Sequence, residues 1–187
     1  MFELNKHPIG LDDLADVRYL HASAFRMTGA AYHAPAEIEA YSKRINSTDY
    51  IQECLNCSLH GLWHNHMLIG TAGWCPSNDN RNTARIRKVF VHNFYIGLGL
   101  GRMLVDETET RALNAGFTSL SVRASASSIP FFKSLGYKTN SHGALALGSN
   151  QDIAVTYMRK EAVKAKHNSA PPSPHSRQTP SSVILPG

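Results

Sequence analysis

No stretch of the 187 residues approaches the run of roughly 18 apolar residues needed to cross a bilayer, which excludes a membrane-embedded helical protein. Met1 to Pro8 has no apolar segment of the kind a secretory leader carries. Cysteine is scarce: Cys54, Cys57 and Cys75 are an odd number and cannot all pair with one another, so a reduced, cytoplasmic setting is the expectation. Cys54-x-x-Cys57 has no second cysteine pair, and His64 and His66 follow too closely for a zinc finger, so no metal is expected. Lys and Arg are not concentrated among interleaved aromatics. The one dense stretch, Arg81 to Lys88, reads as the entrance to a strand, which argues against a nucleic-acid partner. Of the net charge of +5, Lys160, Lys164, Lys166 and Arg177 against Glu161 carry +3, leaving only +2 for residues 1–159.

What is present is the pattern of one globular domain. Hydrophobic residues at 42% and charged residues at 18% suit a packed core, and the length suits one domain, so a single active site is sought. Leu4 to Ile9 is a candidate first strand. Leu14, Val17, Leu20, His21 and Phe25 recur at helical spacing over 13–26, with Asp12 or Asp13 as the N-cap. After a loop from Met27 to His33, Pro35 opens a second helix that ends near Ile45, so two helices precede the main sheet. Cys57 to Trp63, the turn His64-Asn65-His66 and Met67 to Trp74 form a hairpin. Ala84 to Val91 ends in an apolar run typical of a central strand. A helix from Gly101 to Ala115, a short buried strand over Leu120–Val122, a short helix from Ser127 to Ser134 and a last strand over 152–159 complete the domain. Residues 1–160 are assigned to this domain, and 161–187, rich in Ser and Pro, to a disordered tail.

The segment Val89-Phe90-Val91-His92-Asn93-Phe94-Tyr95-Ile96-Gly97-Leu98-Gly99-Leu100-Gly101-Arg102 carries the chemistry. Glycines at every second position let the backbone come close to a ligand with its N–H groups turned inward. The helix that follows adds unpaired donors and a positive dipole end, which together suit a pyrophosphate. Rossmann and P-loop readings fail on spacing, because Arg102 stands where the first needs glycine and Arg-Met follows where the second needs Lys-Ser or Lys-Thr.

Here the chain resembles the GNAT superfamily of N-acetyltransferases, whose central strand, Gly-x-Gly-x-Gly loop and following helix hold the pyrophosphate of acetyl-CoA. Val122-Arg123-Ala124-Ser125, Ser127, Ile129-Pro130-Phe131-Phe132 and Leu135-Gly136-Tyr137 look like a second block of the same family at the expected distance. The resemblance spans Ile86 to Tyr137. It implies an α/β (α+β) fold with a central, mostly antiparallel mixed sheet of six to seven strands, flanked by about four helices and splayed between its two central strands.

For cofactor contacts the resemblance implies Phe90, Val91, Gly97, Leu98, Gly99, Leu100, Gly101, Arg102, Ser127, Phe131 and Phe132, with acetyl-CoA as co-substrate, and it makes the Val91 backbone N–H the oxyanion donor. The side chains of Ile96, Leu98 and Leu100 are expected to pack, and Ser125, Ser127 and Ser128 to cap the next helix. Two positions depart from the family. Ile96 replaces the usual Gln or Arg, and Phe132 replaces a tyrosine that many members place near the sulfur. Arg85 to Lys88 occupy the strand where some members carry a basic-acting Glu, so the base is sought among His33 and Glu37, with Tyr32 and Glu39 beside them. The expected activity is acetyl transfer to a primary amine of a small molecule by a monomer or homodimer. The competing expectation, motivated by Ile96 and Phe132, is a non-catalytic acyl-CoA-binding regulatory module.

Overall fold

A computed structural model of the chain describes residues 3–148 and 151–161; the expected tail beyond Glu161 lies outside them. Strand β1 (Asn5–Pro8) is followed by helices α1 (Leu14–Gly29), α2 (Pro35–Ile45) and α3 (Thr48–Leu55). Then come β2 (Ser58–His64), β3 (Met67–Pro76), β4 (Thr83–Val91), α4 (Leu100–Asn114), β5 (Ser119–Ser125), α5 (Ile129–Ser134), β6 (Lys138–Gly148) and β7 (Gln151–Glu161).

Three helices, not two, precede the hairpin, and the described residues hold five α-helices, in keeping with the expectation of about four. The additional one, α3, is started by Ser47, whose hydroxyl accepts from the Tyr50 N–H at 3.2 Å, and it buries Tyr50, Ile51 and Cys54. Cys54 therefore lies on a helix, and the thiol that approaches Cys57 is that of Cys75 on β3, which hydrogen-bonds it. Helix α1 runs on to Gly29, taking in part of the expected loop. Asp13 occupies its N-cap position, but its carboxylate accepts from the Gly10 N–H at 2.8 Å rather than from the helix. Helix α2 begins with Pro35 and a reciprocal contact in which Glu37 accepts from the Ala34 N–H at 2.7 Å.

The seven strands form one sheet in the order β1-β2-β3-β4-β5-β7-β6, antiparallel throughout except for the parallel pair β4–β5. Helices α4 and α5 cover one face, where Val105, Ala112 and Phe132 pack on Ala84, Ile86, Leu120 and Val122. Helices α1, α2 and α3 cover the other, with Val17, Leu20, Ile45 and Tyr50 on Leu59, Trp63 and Leu68, and Phe25 on Ile153 and Val155. Large apolar side chains on both faces bury the central strands between two helical layers, while the edge strands β1 and β6 stay largely exposed.

Two irregularities shape the centre of this sheet. The β4–β5 ladder runs only from Thr83–Ser119 to Ile86–Val122, after which β5 continues beside β7 and the two central strands part. Within β4, Arg87 pairs with Gly73 and Phe90 with Thr71, so Lys88 and Val89 together stand opposite Ala72. This is a β-bulge, and it places Lys88 at φ 55°.

Candidate functional site

The turn between β4 and α4 is built from residues that tolerate left-handed backbone. Gly97 and Gly99 have φ of 85° and 80°, and a Cβ on either would meet no atom within 4 Å. Their faces are therefore open, and only glycine takes this geometry without strain. Gly101 serves close approach instead: a Cβ there would lie 3.4 Å from the Phe131 ring and 3.7 Å from Val91 Cγ2. Gly99 is the N-cap of α4. The N–H groups of Leu100, Gly101 and Arg102 in the first turn have no intrahelical acceptor, and the helix dipole adds partial positive charge there. Open space above bare amides at a helix start fits a diphosphate, which is the test the residues had to pass.

Next to this turn lies the wedge between β4 and β5. The His92 N–H donates to the Ile69 carbonyl on β3 at 2.8 Å. Successive N–H groups of a strand alternate in direction, so that of Val91 points to the opposite edge, into the wedge that β5 has vacated. Turn and wedge open on one cavity of about 600 Å³, which is lined at the end beside the glycine turn by Phe90, Val91, Gly97, Gly99, Gly101 and Phe131.

The other end of the cavity is charged. Glu53 on α3, a quarter exposed, accepts from Arg87 Nη2 at 2.7 Å and from Lys88 Nζ at 2.9 Å through Oε2, and Arg44 on α2 donates to its Oε1. In a regular strand Arg87 and Lys88 would point to opposite faces; the bulge turns both to the same carboxylate. Burial acts to raise the Glu53 carboxyl, but Lys88, Arg87 and Arg44 outweigh it and hold the pKa below the ordinary value of 4.5. The Lys88 ammonium also stands 3.3 Å from the centre of the Tyr50 ring. These contacts offset the roughly 1–2 kcal/mol that a non-glycine residue pays for left-handed backbone.

A buried chain of hydrogen bonds fixes the same bulge from behind. Thr71 Oγ1 donates to the Lys88 carbonyl at 2.7 Å, so it accepts from His21 Nε2–H at 2.8 Å. His21 Nδ1 is then the acceptor for the Tyr50 hydroxyl at 2.7 Å. Burial first, and Lys88 second, push the His21 pKa well below 6.5, so the ring stays neutral and holds this tautomer.

The expected site residues do not all gather here. Phe90, Val91, Gly97, Gly99, Leu100, Gly101, Arg102, Ser127, Phe131 and Phe132 line the cavity; Leu98 does not, and with Ile96 it is exposed rather than packed. Ser125 bonds Ser127 and Ser128 at 3.1 and 3.3 Å, and Ser128 donates to the Ser125 carbonyl, so none of them caps α5 through its side chain. His33 and Glu37 do not line the cavity: they lie 3.7 Å apart, with Glu37 engaged at the start of α2. Tyr32 is exposed and Glu39 pairs with Lys43 at 3.9 Å. The residues that sequence reasoning missed are Tyr41, Arg44, Tyr50 and Glu53. Tyr41 and Arg44 lie on the expected α2; for α3, which carries Tyr50 and Glu53, the available signal was Ser47 with Asp49 followed by the stripe Tyr50, Ile51 and Cys54.

A model described as the acetyltransferase (GNAT) family matches residues 17–137 of the chain. Among solved structures, the chain is similar to a GCN5-related N-acetyltransferase from Rhodopseudomonas palustris at TM-score 0.75 and 19% identity, over 86% of this chain and 98% of that one. The PaiA N-acetyltransferase of Thermoplasma acidophilum, solved in complex with coenzyme A, matches at TM-score 0.70 and 15% identity, over 85% and 99%. The ribosomal-protein-S18-alanine N-acetyltransferase of Escherichia coli matches at TM-score 0.59 and 15% identity, over 89% and 98%. At these identities the structures speak to the fold. No helix among the described residues is long and apolar enough to cross a membrane.

Proposed function

The chain belongs to the acetyltransferase (GNAT) family, and from that premise we propose that it transfers the acetyl group of acetyl-CoA to a primary amine of a small molecule, by direct attack with both substrates bound together. One observation carries the reading: the open amides of the Gly97–Arg102 turn and the wedge-facing Val91 N–H border a single cavity. In this reading the first-turn amides and Arg102 hold the diphosphate. Phe131 and Phe132 wall the channel, Ser127 supplies a hydroxyl to its polar edge, and the Val91 N–H donates to the carbonyl oxygen as negative charge develops there. Acetyl-CoA supplies the activated acyl group, and holding the amine beside it removes much of the barrier by positioning alone.

Proton removal from the amine falls to solvent in this scheme. An alkylammonium with a pKa of about 10.4 must lose a proton before attack. His33 and Glu37 do not line the cavity, and Glu53, bound by three cations and shifted downward, is a weak base. The rate at subsaturating amine then rises steadily from pH 7 to 9 as the free amine grows. We further assign residues 1–160 to the acetyltransferase domain and the Ser/Pro-rich remainder to a tail outside it.

The test is titration of the full chain with acetyl-CoA, followed by thiol release with a panel of amines. Saturable binding and amine-dependent release are expected. Binding without turnover on any acceptor supports the non-catalytic module, and absence of binding overturns both readings.

A further inference from the structure

Charge is distributed unevenly along the cavity. Among the described residues its lining carries Arg44, Arg85, Arg87, Lys88, Arg102 and Arg123 against one carboxylate, that of Glu53. Arg102 bonds Ser134 beside the glycine turn, and Arg85 is engaged by Asp79 at 2.7 Å. Arg44, Arg87 and Lys88 share Glu53 and leave a local excess of positive charge.

Arg123 differs from the other five. It is half-buried, it lines the cavity, and among the described residues its guanidinium makes no hydrogen bond and no ion pair. It is the first residue of β5 past the ladder to β4, which places it at the mouth of the wedge. Leu120, Val122 and Ala124 pack under α4, so alternation turns Arg123 to the face covered by α1 and α2. There it stands near enough to Tyr41 to act on its hydroxyl. A guanidinium offers five N–H donors in a planar fork that matches the paired oxygens of a carboxylate or phosphate. Half-buried and facing the cavity, this fork has no acceptor among the described residues, and a bound oxyanion supplies one.

We propose that the acceptor is an amine that also carries an oxyanion group, a carboxylate or a phosphate, and that Arg123 receives this group while the cationic surplus around Glu53 excludes polyamines and other multiply cationic amines. The proposal rests on the acetyl-transfer reading of the same cavity. Arg102 then serves the cofactor phosphates and Arg123 the acceptor.

Matched probes test it: β-alanine against propylamine, phosphoethanolamine against ethanolamine, and cadaverine as a dication, each measured by thiol release at saturating acetyl-CoA. The charged member of at least one pair is expected to have a kcat/KM at least tenfold above its neutral partner, with cadaverine the poorest of all. The carboxylate and phosphate arms tell which oxyanion is preferred. Arg123→Gln is expected to erase that preference through KM, and Arg123→Lys to restore part of it. A preference for the neutral or dicationic amines, or one that survives Arg123→Gln, overturns the proposal. So does an Arg123→Gln variant that loses acetyl-CoA affinity instead of acceptor affinity. If no probe is turned over, the same pairs are titrated into protein saturated with coenzyme A. Tighter binding of a charged member, lost in Arg123→Gln, supports the proposal, and equal or absent binding overturns it. Failure of acetyl-CoA itself to bind strikes the acetyl-transfer reading, and is separated from the acceptor result by being measured first.

Discussion

Around the glycine turn the cavity is walled by main-chain amides and small or aromatic side chains, whereas around Glu53 it is walled by long charged side chains brought from α2, α3, β4 and β5. The first end needs a particular backbone and tolerates varied side chains; Ile96 and Leu98 are exposed there without disturbing the turn. The second end needs particular side chains, held by a bulge, a buried histidine and a shared carboxylate. In the proposed function, backbone donors recognise a group that every acyl-CoA carries and side-chain charges select among acceptors, which divides general binding from specificity between the two ends.

Substitutions that act on one end alone break this comparison most directly. Gly99→Val places a β-branched residue at φ 80° and fills the open face of the cradle. Acetyl-CoA affinity by calorimetric titration is expected to fall at least about a hundredfold, since each lost charge-assisted contact and the added strain amount to roughly 1–2 kcal/mol. Circular dichroism should show the fold retained.

At the other end, Glu53→Gln leaves Arg44, Arg87 and Lys88 sharing a neutral amide, and urea unfolding at pH 7 should show a loss of about 2–3 kcal/mol. The pH dependence sharpens the point. The Glu53 carboxyl is held below 4.5 in the folded chain, so its contribution is present above that pH and disappears as the pH falls through the lower folded value. His21 adds an earlier acid effect of the same sign: its folded pKa lies below 6.5, so only the unfolded chain takes up that proton as pH drops beneath 6.5, and stability declines. The wild-type chain should therefore lose stability in two stages on acidification, at most about 1.4 kcal/mol per pH unit for each proton, with the second smaller in Glu53→Gln. Glu107, its burial outweighed by Lys6 and Arg111 and its carboxyl also held below 4.5, still contributes to that stage.

The smallest expected effect belongs to a residue outside both ends. Glu37→Ala removes the acceptor for the Ala34 N–H and should cost about 0.5–1 kcal/mol in thermal unfolding. An altered pH–rate profile in this variant would contradict the assignment of proton removal to solvent.

The glycine-turn end was legible in the sequence because it is local. Strand, turn and helix follow one another between Thr83 and Asn114, and glycine spacing speaks directly of backbone geometry. The charged end was not. Lys88 reads as one more alternating residue of β4 until Thr71 and Ala72 on the neighbouring strand show the bulge. Glu53 has no pattern of its own; it becomes significant when α3 packs under β2 and brings it to Arg87 and Lys88, 34 and 35 residues away. His33 and Glu37 were sought as bases because they lie near an expected loop, but Glu37 starts α2 and neither lines the cavity.

Taken alone, the order of residues determined the alternation that makes the strands, the stripes that make α1 and α4, and the glycine turn that resembles an acetyltransferase cradle. These are short-range properties, fixed by φ restrictions and by which faces must be buried. Tertiary structure alone decided which charges meet: the paired environment of Glu53, the tautomer of His21 and a guanidinium of Arg123 that has no partner among the described residues. Ion pairs and hydrogen bonds between distant segments depend on ångström-scale placement, and that placement arises only once the sheet has twisted, bulged and been covered on both faces.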